Sequence, residues 1–163
     1  MLYNFESNAL NKQGVLSEAF ILAENICDEF SLEDHFAVIS LALQELLSLV
    51  IRHDEKSTTE YFIDSIVESD EIAFQIRKDG DFKFLEKELF HNDEGILVMT
   101  LSDEIEISED YTSICIMFHV KPKRKSEAEK RESIYKENKK KFLYTEDEID
   151  EIKRRLKHQN LHF

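Results

Sequence analysis

The chain has 163 residues, of which 42% are hydrophobic and 34% are charged, and its formal net charge is −14. This length and apolar content predict one domain with a real core and room for an appendage. The excess of acidic residues disfavours nucleic acid as a partner, and three glycines are too few for a complete glycine-rich phosphate loop.

The charge is distributed unevenly along the chain. Residues 121–163 contain 14 Lys/Arg and 9 Asp/Glu, a net charge of +5, whereas residues 1–120 carry a net charge of −19. The composition changes abruptly at Lys121–Lys125. We therefore predict a folded, acidic body at residues 1–120 and a basic C-terminal extension at residues 121–163.

The N-terminal half of the body predicts a short strand and two helices. Leu2–Glu6 has strand character and is followed by a polar loop. Ser17 is a suitable N-cap for an amphipathic helix of about fifteen residues. Ser31–Asp34 has the spacing of a capping box and predicts the start of a second helix through Phe36–His53. Because that helix is apolar nearly all round, we expect it in the core.

Glu45, near the centre of the second helix, has two interpretations. It is either a rim residue on a solvated stripe beside Gln44 and Ser48, or an acidic residue that faces a ligand pocket. The polar residues at 44 and 45, with Arg52, also interrupt the apolar run, so we expect no membrane span.

The cysteines and the first residues of the chain indicate the cellular compartment. Cys27 and Cys115 both have apolar neighbours, which favours free, buried thiols in a reducing compartment over a disulfide. Residues 1–6 lack the basic segment of a signal peptide. We therefore expect a cytoplasmic location.

The second half of the body predicts a sheet. The predicted strands alternate in hydrophobicity or are rich in β-branched and aromatic residues; they are Tyr61–Glu68, Glu71–Arg77, Asp103–Ser108 and Thr112–Val120. The alternation in the second strand predicts one buried face. Between the second and third strands we expect a turn at Lys78–Asp81, a short helical or irregular segment at Phe82–Phe90 and a loop at His91–Gly95. Ile96–Leu101 is compatible with either a helix or a strand.

The extension predicts two charged helices. Capping-box spacing at Ser126–Glu129 and at Thr145–Glu148 predicts helices that end near Lys141 and Gln159. The second helix has only a narrow apolar stripe: Ile149, Ile152 and Leu156. A helix of this kind needs a partner surface, which we expect on the body or on a second copy.

Histidines supply the only spacing that suggests a metal. His158 and His162 are four residues apart, which can place two imidazoles on one helix face. They lie near the C-terminal end of a predicted helix, where helices tend to fray, and no Glu or Cys completes a zinc signature. We therefore predict no metal site.

Three short segments, together with the order of elements, resemble a known family. Glu45–His53 is similar to an N-box, Lys78–Phe82 stands where a first glycine box is expected, and Gly95 followed by Ile-Leu stands where a second one is expected. Over residues 1–120 the chain resembles the Bergerat (GHKL) ATP-binding fold, in particular the anti-sigma-factor serine kinases and the catalytic domains of histidine kinases. The resemblance implies an α/β (α+β) two-layer sandwich, with helices on one face of a mixed, mostly antiparallel sheet.

The chain departs from this family at the residues that serve ATP. Leu49 stands at the asparagine that holds Mg²⁺ in the family, and a leucine side chain offers a cation no oxygen. Lys78 replaces the aspartate that reads adenine, and Asp79 could supply that carboxylate only after a one-residue shift. Phe82 replaces a glycine, where its bulk would obstruct the base pocket.

Glu45, Gly80 and the Arg52-His53 pair match the family pattern well. The resemblance implies a vestigial catalytic role for Glu45 and weak cofactor-binding remnants at Asp79, Gly80 and Gly95. One glycine in the second box is too little for a phosphate cradle. We therefore expect ATP and Mg²⁺ to bind weakly or not at all.

These observations predict a regulatory protein-binding module of the anti-sigma-factor or partner-switching type, whose partner resembles a sigma factor or an anti-sigma antagonist. One alternative is an active serine kinase that uses ATP and Mg²⁺ through divergent boxes. Another is a scaffold or homodimerisation module that acts through the C-terminal helices. In none of these do we expect nucleic acid or a membrane as the partner.

Overall fold

In a computed structural model, residues 9–56 and 58–121 form four helices and one four-stranded sheet. The elements in chain order are α1 Lys12–Glu29, α2 Glu33–Arg52, β1 Tyr61–Val67, β2 Glu71–Lys78, α3 Lys83–His91, α4 Asp93–Leu101, β3 Glu104–Ile107 and β4 Ser113–His119. The strand order is β1-β2-β4-β3, and every neighbouring pair is antiparallel. With helices on one face of this sheet, the body is a two-layer α+β sandwich, which confirms the predicted fold class. The predicted strand at Leu2–Glu6 and the helical extension lie outside the described residues.

Helix α1 begins earlier than its sequence suggests. Its N-cap is Asn11, whose side-chain oxygen accepts a hydrogen bond from the backbone N–H of Gly14 at 2.6 Å. The prediction of Ser17 as N-cap is wrong, because Asn11 already satisfies a free N–H group at the helix start. A β-bridge between Leu10 and Tyr61 also holds the chain just before this cap.

The prediction of a side-chain capping box for α2 is also wrong. Ser31 has a φ of 57°, and the N-cap is Leu32, which makes no side-chain capping bond. The backbone explains this, since only three residues reverse the chain between α1 and α2. Phe30 and Leu32 are both buried, and the N–H of Leu32 donates to the carbonyl of Cys27 at 2.8 Å. Burial of these apolar side chains therefore sets the turn.

Helix α2 lies at the centre of the helical layer. It packs between α1 and α4, and α3 packs against α4. Fully buried residues of α2, such as Leu43 and Leu47, share one core cluster with the inner face of the sheet, represented by Phe74 and Ile116. This confirms that α2 is the core helix.

The predicted loop at His91–Gly95 is wrong, because Asn92 alone separates α3 from α4. Its backbone N–H donates to the carbonyl of Glu88 and closes α3, while its side-chain oxygen accepts from the N–H of Glu94 at 2.9 Å and opens α4. The polar composition suggested a loop, but here it supplies a helix cap and acidic residues suited to a helix N-terminus.

The four predicted strands are confirmed, and each end lies within one residue of the prediction. Lys78–Asp81 forms the predicted turn, and its Gly80 has a φ of 96°. The prediction that β2 has one buried face is wrong. Phe74 on the inner face and Gln75 on the outer face are both fully buried, so β2 is buried on both of its faces.

Candidate functional site

The segment that resembles an N-box forms the second half of α2. Glu45 is partly exposed there and lies on the outward stripe of the helix between the exposed Leu41 and Ser48. Leu49 is fully buried in the core. The neighbouring Gln44 donates from Nε2 to the carbonyl of Leu16 at 2.8 Å and so ties α2 to α1. This segment therefore serves helix packing, with Glu45 at its solvated edge.

Asp79 and Gly80 form the exposed turn after β2. The backbone N–H of Asp79 donates to the carbonyl of Glu60 at 3.4 Å. A Cβ added to Gly80 would meet nothing within 4 Å, so the positive φ, not a close neighbour, is the reason for glycine at this position. These two residues shape the turn.

Lys78 and Phe82 flank this turn and anchor it. Phe82 is fully buried, and its backbone N–H donates to the carbonyl of Tyr111 at 2.7 Å. The Lys78 ammonium lies 5.3 Å from the ring centroid of Phe82 and 5.1 Å from that of Phe84. Desolvation by burial lowers the pKa of Lys78. The place of the second box glycine is thus taken by a core aromatic side chain.

Gly95 allows α3 and α4 to approach closely. A Cβ at this position would lie 2.3 Å from the backbone oxygen of Glu88 and 2.7 Å from the Cα of Leu89. The two helix backbones therefore meet where the side chain is missing. The absence of a Cβ is used for packing here, whereas in a glycine box it would leave room for a phosphate.

Arg52 and His53, at the end of α2, contact residues that lie next to the other two segments. Arg52 pairs with Glu94 at 3.1 Å, and this hydrogen bond lowers the pKa of Glu94. His53 lies 3.6 Å from a carboxylate oxygen of Glu88, and its ring stacks on that of Phe84 with centroids 5.0 Å apart. Phe84 in turn lies beneath the Lys78 ammonium, so the three segments are joined by surface ion pairs and ring contacts.

A second polar cluster, which no sequence pattern indicated, lies just beyond α2 around Asp54. The Tyr61 hydroxyl donates to this carboxylate at 2.6 Å, and Lys12 donates to the backbone carbonyl of Asp54 at 2.7 Å. Burial alone would raise the pKa of Asp54, but the hydrogen bonds from Tyr61, Thr59 and the Lys56 N–H outweigh it and lower that pKa. The same contact with Asp54, together with burial, raises the pKa of Tyr61. Within residues 9–56 and 58–121, no group of three or more His, Cys, Asp or Glu is placed to hold a metal ion.

The outward side of the helical layer exposes large apolar side chains. We define the helix-layer surface as the exposed apolar residues of the three adjacent helices α1, α2 and α4, namely Phe20, Ile21, Val38, Leu41, Ile96 and Leu97. Ile21 and Ile96 are each nearly half exposed, at 48% and 49%. The ring of Phe20 packs edge-on against Phe36 of α2, with centroids 5.4 Å apart, which joins the α1 and α2 parts.

Acidic residues border the helix-layer surface. Glu24 and Asp28 are exposed on α1, Asp93 is exposed at the start of α4, and Glu45 is partly exposed on α2. The nearest described cation on α2, Arg52, is paired with Glu94. The helices that carry this surface therefore combine exposed apolar side chains with mostly acidic charged residues. The adjacent apolar pairs Phe20-Ile21 and Ile96-Leu97 are the one signal of this surface in the sequence, because α2 is apolar nearly all round and its outward stripe does not stand out.

By length and composition, α2 is the one helix among the described residues that could cross a membrane. Eight of its residues are buried against the rest of the fold. The core helix of a soluble protein meets the same criteria, so the observation is weak evidence for membrane insertion.

Comparisons with known proteins do not extend this description. The chain matches no protein-family model, and a search of curated proteins finds no match either. The resemblance to the Bergerat fold therefore depends on the element order and the three segments described above.

Proposed function

We propose that this chain is a cytoplasmic regulatory module that binds another protein, in the manner of an anti-sigma factor or partner-switching protein, and that it does so without ATP. The observation that carries the proposal is the helix-layer surface, with large apolar side chains exposed on three adjacent helices. Contiguous exposed apolar patches on soluble domains mark interaction sites, because the free energy falls when a partner removes such side chains from water.

The positions that resemble nucleotide boxes support the part of the proposal that concerns ATP. Leu49 and Phe82 are core side chains, and Gly95 is required for the approach of α3 to α4. A residue committed to packing in this way is not free to hold a phosphate, a base or Mg²⁺. This arrangement favours a binding module over the alternative of an ATP-dependent kinase.

The border of the helix-layer surface suggests the chemistry of the partner. Its acidic residues would repel an acidic partner and attract one that carries Lys or Arg around an apolar centre. The apolar side chains would supply most of the affinity, and the charges would supply specificity and a faster association. A segment with exposed Leu, Ile or Phe flanked by basic residues fits this surface best.

The test is quantitative affinity capture from cells that express the chain, followed by measurement of the dissociation constant for the captured protein. Leu41→Asp and Ile96→Asp place a charge within the helix-layer surface. Phe90→Asp is the matched control, since Phe90 is 53% exposed on α3 and lies outside that surface. We expect the first two variants to weaken binding at least about tenfold, equivalent to about 1.4 kcal/mol, and the control to bind like the wild type. Equal capture of the same proteins by all three variants would refute the proposal.

A further inference from the structure

The face of the sheet that points away from the helices is lined by polar side chains. We call it the outer face. The strand register aligns one row of this face across all four strands, comprising Asp64, Gln75, Cys115 and Glu106. The neighbouring positions Glu71 and Glu104 lie on the same face. Four carboxylates are thus gathered on one side of a small sheet.

This outer face is buried. Asp64, Gln75, Glu104 and Cys115 are all at most 4% exposed. The helices in the described part of the chain pack on the opposite side, and Cys115 does not belong to their core cluster. A polar face on an open antiparallel sheet normally lies in water. A second layer over this face is needed to explain the burial.

The charge of the outer face restricts what that layer can be. Among the described residues, Arg77 pairs with Asp64 at 3.2 Å, while His119 lies 3.3 Å from Glu71 and 3.6 Å from Glu104. With four carboxylates, the described part of the outer face is acidic. Charge complementarity therefore favours a basic segment as its cover.

We propose that the outer face is the docking site of the chain's own basic stretch, residues 121–141. This stretch holds ten Lys/Arg and four Asp/Glu. It begins directly after β4, an interior strand of the sheet, and the N–H of Val120 donates to the carbonyl of Asp70 at 2.7 Å, beside Glu71. A helix over residues 126–141, as the capping box predicts, would be about 24 Å long and could cross four strands spaced about 4.8 Å apart.

Other occupants fit this face less well. Residues 1–8 contain no Lys or Arg and so bring no basic side chain. The body of a second copy carries the same net charge of −19 at residues 1–120 and would be repelled. The basic stretch of a second copy remains chemically equivalent, so the test must separate docking within one chain from docking between chains.

Cys115 is a reporter built into the outer face, and its reaction with an aromatic disulfide reagent measures whether the face is covered. The test variant of the full chain reverses five charges: Lys123→Glu, Arg124→Glu, Lys125→Glu, Lys130→Glu and Arg131→Glu. The matched control exchanges Lys for Arg and Arg for Lys at the same positions, which keeps the charge. Cys27 is the internal reference, because it is buried in the helical core and burial, with the charges of Asp28 and Glu33, raises the pKa of its thiol to about 12.

We expect Cys115 to react at least about tenfold faster in the reversed variant than in the wild type or the control, with Cys27 slow in all three. The same measurement on chains that carry Cys115→Ser shows which part of the reaction comes from Cys115. Equal rates for Cys115 in the reversed variant and in the control, with unchanged far-UV circular dichroism, would overturn the proposal.

Carbodiimide crosslinking of the wild-type chain covers the case in which the reversed variant does not fold. Glu106 is only partly buried and can react. With an equal mixture of light and heavy isotope-labelled chains, we expect Glu106 to crosslink to lysines of residues 121–141 within one chain. The absence of such crosslinks, or crosslinks found only between light and heavy chains, would overturn docking within the chain.

Discussion

At the scale of single residues, substitution of Gly95 tests whether this glycine serves helix packing or ligand binding. A Gly→Ala change in a helix normally stabilises it by up to about 1 kcal/mol. Here the new Cβ would lie 2.3 Å from a backbone oxygen of α3, so the helices must move apart. We expect Gly95→Ala to lower the free energy of unfolding by about 1–3 kcal/mol, measured by urea denaturation. Thr100→Ala, at an exposed position of the same helix, should change it by less than about 0.5 kcal/mol. A higher free energy of unfolding for Gly95→Ala than for the wild type would contradict the close approach of α3 to α4.

Asp54 gives a pH-dependent prediction at the same scale. Its pKa is lowered in the folded chain, so its contribution to stability is present above the unfolded pKa of about 3.9 and is lost as the pH falls through the lower folded value. Tyr61→Phe removes the hydroxyl that donates to Asp54. We expect a loss of about 1 kcal/mol at pH 7, since Asp54 is partly solvated, and a smaller loss near pH 3.

Tyr111→Phe is the matched control for this measurement. The Tyr111 hydroxyl donates to Glu86 at 3.0 Å in an exposed position, and that carboxylate raises the pKa of Tyr111. Solvent screens this pair, so the substitution should leave the unfolding transition unchanged at both pH values. A Tyr61→Phe loss that is equally large at pH 3 and pH 7 would assign the effect to packing and contradict the role given to Asp54.

At the scale of elements, the start of α1 can be tested directly. The sequence pattern places the N-cap at Ser17, whereas the structure places it at Asn11, whose side chain accepts from the N–H of Gly14. Asn11→Ala should therefore cost about 1 kcal/mol in thermal or urea unfolding. Ser17→Ala, at an exposed position inside the helix, should be neutral or slightly stabilising. The reverse order of the two effects would support the cap that the sequence pattern predicts.

Elements that depend on hydrophobic periodicity were predictable from the sequence, and elements that depend on caps were not. The apolar run of α2 and the β-branched and aromatic residues of β4 correspond to burial, which sequence patterns record well. The end of α3 and the start of α4 both depend on one residue, Asn92, inside a polar stretch that reads as a loop. Ser31 adopts a positive φ because buried neighbours impose the turn, and such tertiary constraints leave no local signal.

At the scale of the whole molecule, the two sides of the sandwich differ in chemistry. The helical side exposes the apolar helix-layer surface with an acidic border, and the opposite side buries polar residues of the outer face. The two proposals thus use different surfaces, so a partner on the helices and the basic stretch on the sheet need not compete. A change in partner affinity on charge reversal at residues 121–141 would show instead that the two surfaces are coupled.

The order of elements, which predicts the two-layer sandwich, says less about the candidate site. His53 and Lys78 both contact the ring of Phe84, so the end of α2 lies close to the end of β2. The sequence could not show that Gly95 is used for helix packing, because a glycine that admits a helix and one that admits a phosphate look the same. The helix-layer surface likewise depends on which stripe of each helix points outward, and this is decided by the packing of α1, α2 and α4.

The central claim, that the chain acts by binding protein and not by using ATP, is tested most directly by calorimetric titration of the full chain with ATP, with and without Mg²⁺. The account predicts no saturable heat up to about 1 mM nucleotide in either condition, because Leu49, Phe82 and Gly95 are committed to packing. Saturable binding with a micromolar dissociation constant, about −8 kcal/mol, and with an affinity that rises with Mg²⁺ would contradict the account and favour the kinase.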